Sequence, residues 1–313
     1  MNRIQQILSK AEKDGTARRL NTDGPMVEER PPLIGPREMP RRTVRDAARD
    51  VRQPAAPVRD DAPPVRDRTR PPIEQPIIEP VAYADMPAAE NAVEVVLHPL
   101  LIAARNPLSP AAEHYRSLRS RIAQLERDQP VRVIQVTSPG KGDGKTLTAL
   151  NLALTMAQEF QRRVLVIDAD LRHPRVHALL GLEASPGLAD VLTGHASLAD
   201  ALVELPGQHL TVLRAGRAYD RPAEMLGSAP MRRLIDTLRT PFDRIVIDSA
   251  PAVVADPVAI APIVDGLLLV VRAGVTTRPA IARALGSLAS SRLLGLVFNE
   301  SGAPLEAPYG RSA

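Results

Sequence analysis

Residues 107–300 predict an α/β domain on a doubly wound, mainly parallel sheet, preceded by a Pro/Arg-rich region with no fold of its own. Three observations predict it. Short aliphatic runs alternate with stretches of helical length from Val131 onward. Aromatic residues are only 2% of the chain and Trp is absent, so Val, Leu, Ile and Ala must build the core. That composition suits strands covered on both faces. Prolines crowd the other end, with 17 of 31 in the first 110 residues. Each removes a backbone donor and blocks helix, so this stretch cannot build a regular core.

Taken in order, Ile4, Ile7, Leu8 and Ala11 have helical spacing and predict a short amphipathic helix within residues 1–20. It reads either as a frayed terminal helix or as a docking element. Residues 21–106 read as a disordered linker, in which Val-Arg-Asp recurs at Val44, Val58 and Val65. The expected strands are Val131–Thr137, Val164–Asp168, Leu210–Arg214, Arg244–Asp248, Leu267–Val271 and Leu293–Phe298. Right-handed crossovers through the intervening helices put a ligand site at the carboxyl ends of these strands. Residues 301–313 read as a flexible tail.

Composition excludes several classes of function. The chain has no Cys, so disulfide and thiolate chemistry are absent. Net charge is +4, carried almost wholly by Arg. No aromatic-rich basic stripe accompanies it, which argues against nucleic acid as a partner. The longest apolar run, Val258–Val271, is broken by Pro262, Asp265 and Gly266. A membrane span needs about 20 apolar residues. The N-terminus has no apolar signal core. A cytoplasmic chain without its own membrane span is therefore expected.

The first expected strand runs into Ser138-Pro139-Gly140-Lys141-Gly142-Asp143-Gly144-Lys145-Thr146, and an apolar-periodic helix follows. Two of the four lysines of the chain fall in this one loop. Strand, Gly-rich loop, Lys-Thr and helix form the context of a Walker A phosphate loop, although Pro139 stands where the usual first Gly belongs. Backbone N–H groups from Gly140 to Leu147 can converge on phosphate oxygens, aided by the positive end of the helix. Lys145 is placed to bridge the β- and γ-phosphates of ATP, and Thr146 to ligate Mg²⁺.

Two further strands end in Asp. Val164–Ile167 leads to Asp168-Ala169-Asp170, and Ile245–Ile247 leads to Asp248-Ser249-Ala250-Pro251. Carboxylates at these strand ends can hold Mg²⁺ or accept a proton from an attacking hydroxyl. Asp after a strand can equally cap a helix, and Asp200 and Asp256 are read that way.

These residues together resemble a family. Asp168-Ala169-Asp170-Leu171-Arg172-His173-Pro174 is similar to the Walker A′ signature of bacterial tyrosine kinases, a branch of the MinD/ParA-like P-loop fold. The resemblance extends through Asp248-Ser249-Ala250-Pro251, Pro222–Leu226, Val270–Thr276 and the terminal Val297-Phe298-Asn299. MinD/ParA ATPases carry a signature Lys where this chain has Gly140, and Lys141 stands one place too late. That favours the kinase branch over a regulatory ATPase that switches partner or membrane binding.

The resemblance implies phosphoryl transfer from ATP to tyrosine in exopolysaccharide or capsule export. Lys145, Asp168 and Asp170 would be catalytic; Thr146, Asp168 and Asp248 would serve the metal. Asn299 would contact the base. Glu113, Arg116 and Arg119 form E-x-x-R-x-x-R on one helix face. In the family this motif joins subunits into a homo-oligomeric ring. The partner implied is a separate membrane-embedded polysaccharide co-polymerase or adaptor, recruiting the chain to the inner face of the membrane. Members usually end in a tyrosine cluster, whereas this tail has only Tyr309, the candidate phosphoacceptor. An extended tail carries it roughly 35 Å from Asn299.

Overall fold

A computed structural model describes residues 95–300 apart from 128, 160 and 161. The expected helix within residues 1–20, most of the linker and the tail with Tyr309 lie outside the described residues.

Two helices, α1 (Ile102–Arg105) and α2 (Pro110–Leu125), precede strand β1 (Val133–Thr137) and helix α3 (Lys145–Ala157). Strand β2 (Val164–Ala169) leads to the short helices α4 (Val176–Leu180), α5 (Leu188–Leu192) and α6 (Leu198–Ala201). The hairpin β3 (Leu202–Leu205) and β4 (Leu210–Leu213) is followed by α7 (Pro222–Leu226) and α8 (Ala229–Leu238). Then come β5 (Arg244–Ser249), α9 (Asp256–Ile260), β6 (Gly266–Arg272), α10 (Arg278–Ser287) and β7 (Leu293–Asn299).

The seven strands form one sheet in the order β3-β4-β2-β5-β1-β6-β7. All neighbours are parallel except β3 and β4. All six expected strands are present, with ends differing by one or two residues. β3 was not expected: Leu198–Leu205 reads as one amphipathic stretch, and only pairing with β4 turns its second half into a strand. A tight connection through Gly207, at φ 70°, reverses the chain.

Every residue of β1, β2, β4 and β5 is buried. Successive side chains point to opposite faces. Ile134, Val136, Val166, Val246, Leu268 and Val270 face α3, whereas Val133, Leu165, Ile167, Ile245 and Ile247 face α5, α6 and α8. β7, an edge strand, is half-buried throughout.

α3 is buried continuously from Thr148 to Ala157, because the sheet covers one side and α2 with the segment before it covers the other. This corrects the boundary at 107: residues 97–106 pack as part of the domain. Leu101 is fully buried. Asn151 on α3 accepts from Ala103 N at 3.0 Å and donates to the Leu100 carbonyl at 3.0 Å. Pro99 and the adjoining Pro107 give this stretch the composition of the linker, but the Asn151 amide, and that of Gln158 just past α3, which donates to the Ala103 carbonyl at 2.7 Å, hold it in place.

Candidate active site

The site is built where β1 turns into α3. The loop turns through Gly142 at φ 88° and Gly144 at φ 95°, a left-handed geometry that favours glycine. At Gly144 a Cβ would also lie 2.1 Å from the Asn299 amide nitrogen, so this position is restricted twice. α3 begins at Lys145 with Gly144 as its N-cap, and the first side-supported turn closes with Thr148 N donating to the Gly144 carbonyl. The N–H groups of Lys145, Thr146 and Leu147 therefore have no intrahelical acceptor and form an anion cradle. Lys141 is exposed on the outer rim of the loop.

The two Asp-terminated strands are neighbours, and their register pairs Asp168 with Asp248. Both carboxylates are fully buried on the α3 face. Lys145 reaches between the strands: its Nζ lies 2.7 Å from Asp170 and 3.6 Å from Asp248, and donates to the Thr146 hydroxyl at 3.1 Å. Burial alone would lower the Lys145 pKa, but Asp248 and Asp170 outweigh it and hold the ammonium above its ordinary value. Burial pushes the Asp168 carboxyl up, and the charge of Asp248 adds to it. Burial likewise raises Asp248, with Lys145 opposing the shift.

The oxygens of these aspartates have different partners. Asp168 accepts from the backbone N–H groups of Asp170 at 3.2 Å, Arg175 at 3.1 Å and Val176 at 3.0 Å. Asp170 accepts from His173 N at 3.1 Å with one oxygen and meets Lys145 with the other. Neither oxygen of Asp248 has a well-formed hydrogen bond, although both are buried. A buried carboxylate without donors is costly, and a hard cation relieves that cost. Asp248 beside the Thr146 hydroxyl thus fits Mg²⁺. Among the described residues no three acidic or imidazole groups gather as a metal cage.

Three contacts around the site were not legible beforehand. Asp143 is buried and turned into the loop: it accepts from Gly140 N at 2.8 Å and from the Thr276 hydroxyl at 2.8 Å. Asn299, at the end of β7, donates to the Asp143 carbonyl at 3.0 Å. Asp256, expected as a helix cap, is fully buried and grips Arg172 through two bonds of 2.8 and 3.1 Å. The chain separations involved, 133 and 156 residues for the Asp143 contacts, leave no local pattern to read.

Glu113, Arg116 and Arg119 all lie on α2. Arg116 pairs with Glu113 at 2.6 Å, and Arg119 reaches Thr155 O at 2.7 Å and Glu159 at 3.2 Å. All three are satisfied within the chain.

Residues 131–274 match a family model described as an AAA domain. The tyrosine-protein kinase YwqD of Bacillus subtilis (strain 168) is 36% identical over 213 residues, which cover 67% of this chain and 90% of that protein. The chain belongs to the bacterial tyrosine kinase family. The kinase domain of the Escherichia coli tyrosine kinase ETK superimposes with a TM-score of 0.62 at 26% identity, over 67% of this chain and 84% of that domain. The succinoglycan biosynthesis transport protein ExoP of Rhizobium meliloti (strain 1021) is 33% identical over 201 residues, 62% of this chain but only 25% of ExoP. The fold is that of the family's kinase domains, and one relative, ExoP, is named for succinoglycan biosynthesis transport. No helix among the described residues is long and apolar enough to cross a membrane.

Proposed function

We propose that this chain is an ATP- and Mg²⁺-dependent tyrosine autokinase that acts in exopolysaccharide polymerisation and export. The observation that carries the site assignment is Lys145 set between Asp170 and Asp248, at the foot of a glycine loop. Without nucleotide, the ammonium neutralises two carboxylates. With ATP bound, it turns to the β- and γ-phosphates and leaves Asp170 free to accept a proton. Asp170 and Asp168 orient and deprotonate the incoming tyrosine hydroxyl. The backbone N–H groups of the loop up to Leu147 hold the phosphates in line, except that of Gly140, which is spent on the Asp143 carboxylate. Thr146 and Asp248, with Asp168 behind them, would hold Mg²⁺, which supplies charge neutralisation at the transferring phosphoryl group. Asn299 stands beside Gly144, a position from which it can also meet the nucleotide.

The adaptor is a separate membrane chain in this reading. A match covering 90% of YwqD but 25% of ExoP supports it, because the same domain occurs both as most of one protein and as a part of a longer one. Glu113, Arg116 and Arg119 would exchange their partners within the chain for partners on a neighbouring subunit, closing a ring. Tyr309 would then be delivered to a neighbouring site at the inner face of the membrane. Residues 1–96 would contribute a linker and docking region ahead of the kinase domain.

The test is direct. Purified protein is incubated with labelled ATP and Mg²⁺, alone and with a candidate adaptor's cytoplasmic segment, and probed for phosphotyrosine. Label that is lost in Lys145→Met and reduced in Tyr309→Phe is expected. ATP hydrolysis without phosphotyrosine on any protein would sink the kinase reading and leave a regulatory ATPase.

A further inference from the structure

Asp143 puts a negative charge into a loop built to receive phosphate. Its carboxylate is nonetheless buried, and both carboxylate oxygens and the carbonyl are engaged. One oxygen accepts from Gly140 N at 2.8 Å, closing the loop on itself. The other accepts from the Thr276 hydroxyl at 2.8 Å. Its carbonyl accepts from the Asn299 amide at 3.0 Å. The two outside partners come from the β6–β7 side of the sheet, next to β1. Thr276 follows β6, and its hydroxyl also accepts from Arg272 N at 2.9 Å, so its rotamer is set by a backbone bond. Asn299 ends β7, and its carbonyl accepts from Ala273 N at 2.9 Å.

We propose that Thr276 is a positioning residue of the phosphate loop, acting through Asp143, with Asn299 as the second arm of the same brace. This rests on the nucleotide-binding reading above. The physical argument is pre-organisation. A glycine-rich loop has many conformations, and ordering it on binding subtracts from affinity. A carboxylate fixed by a charge-assisted bond to Thr276 and tied to Gly140 N–H holds the loop in its phosphate-ready shape beforehand. The same two bonds draw the Asp143 charge away from the cradle, into the body of the loop. The donor at position 276 must be a short hydroxyl: it has to accept from Arg272 N and donate to Asp143 at once, which only Ser and Thr do at this length.

The brace predicts a split between binding and chemistry. Thr276→Val keeps the shape of the side chain and removes the hydroxyl, leaving one Asp143 oxygen buried without a donor. Nucleotide affinity, measured by titration calorimetry with Mg·ADP, should fall about tenfold, the consequence of losing one charge-assisted bond. KM for ATP should rise by a similar factor, with kcat at saturating ATP within about twofold. Thr276→Ser should restore affinity to within about twofold. Exchange of the Gly140 amide hydrogen, followed by mass spectrometry or NMR in the nucleotide-free chain, should quicken in Thr276→Val and not in Thr276→Ser.

Unchanged Mg·ADP affinity in Thr276→Val would overturn the proposal, as would equal losses in the Val and Ser variants. Asn299→Ala gives a second test, read by exchange of the Gly140 amide hydrogen in the nucleotide-free chain, because Asn299 can also meet the nucleotide and affinity alone would not isolate the brace. Quickened exchange is expected, and exchange equal to that of the unaltered chain would overturn the second arm. Failure of the unaltered chain to bind Mg·ADP at all is a distinct result: it overturns the nucleotide-binding reading itself and the brace with it.

Discussion

The carboxyl ends of β2 and β5 look alike in sequence and differ in chemistry. Each is a buried aliphatic run that stops at an aspartate, and the sheet pairs the two at the same height. Asp168 on β2 is held by three backbone N–H groups from the segment that follows it. Asp248 on β5 has none. The difference lies in the next few residues. After β2 the chain folds back over the strand end and aims the N–H groups of Arg175 and Val176, at the start of α4, at the carboxylate. After β5 it leaves through Ala250 and Pro251 toward α9, and Ala252 N is spent on the Ser138 carbonyl at 2.8 Å. Asp168 is therefore part of the scaffold as well as of the site. Asp248 has only Lys145 and an incoming cation to neutralise it.

The largest effect should come from the group that serves both strand ends. Lys145→Met removes the charge shared by Asp170 and Asp248, and phosphotyrosine formation should fall by about 10³-fold. A loss below about tenfold would mean that the phosphates are held without it.

Alanine at the two strand ends should then separate them. Asp168→Ala leaves three backbone donors buried and unpaired and should cost about 3 kcal/mol of stability, read by urea unfolding. Asp248→Ala leaves no backbone donor unpaired and loses only its contacts with Lys145 and Thr146, so stability should stay within about 1 kcal/mol, while phosphoryl transfer falls by about 10²-fold or more. Equal destabilisation by the two variants would erase the distinction.

A smaller effect is expected in the pH dependence of the nucleotide-free chain. Both carboxyls are raised by burial, Asp168 with the added push of its neighbour's charge. The folded chain thus holds protons that the unfolded chain releases. This contribution is fully present below the ordinary carboxylate value and is lost as pH rises through the raised values. Unfolding free energy should accordingly fall between pH 5 and pH 8, by at most about 1.4 kcal/mol per pH unit for one proton, and the melting temperature with it. Asp248→Ala should flatten the slope, since it removes one titrating group and the charge that lifts the other. A melting temperature that rises over this interval would contradict the raised values.

The smallest effect is reserved for a charge pair far from both strand ends. Arg116→Ala on α2 breaks an exposed ion pair with Glu113 and should change stability by under about 1 kcal/mol. Sedimentation of the same variant should show loss of the ring, if this face joins subunits. Unchanged assembly would return the pair to an ordinary surface role.

Much of this molecule was legible in its sequence. The six core strands were read from aliphatic runs because a parallel sheet covered on both faces tolerates little else. The loop was read from the order strand, glycines, Lys145, Thr146 and helix, since each part lies next to the one before it. Asp168 and Asp248 stood out by the same local rule. What stayed hidden had partners far along the chain. β3 needs β4 to become a strand. Residues 97–106 need the Asn151 amide to become part of the domain. Asp256 was read as a cap and instead holds Arg172, 84 residues away.

The sequence by itself determined that a phosphate loop stands at the end of β1 with aspartates on two further strands. It did so because apolar periodicity, glycine and a helix start act over a few neighbouring residues. Only the tertiary structure decided which aspartate is tied down and which is open to a cation, and that Asp143 faces Thr276 and Asn299 rather than the ligand. Those outcomes depend on where backbone N–H groups and hydroxyls arrive after the sheet is assembled, and short-range sequence carries no record of that.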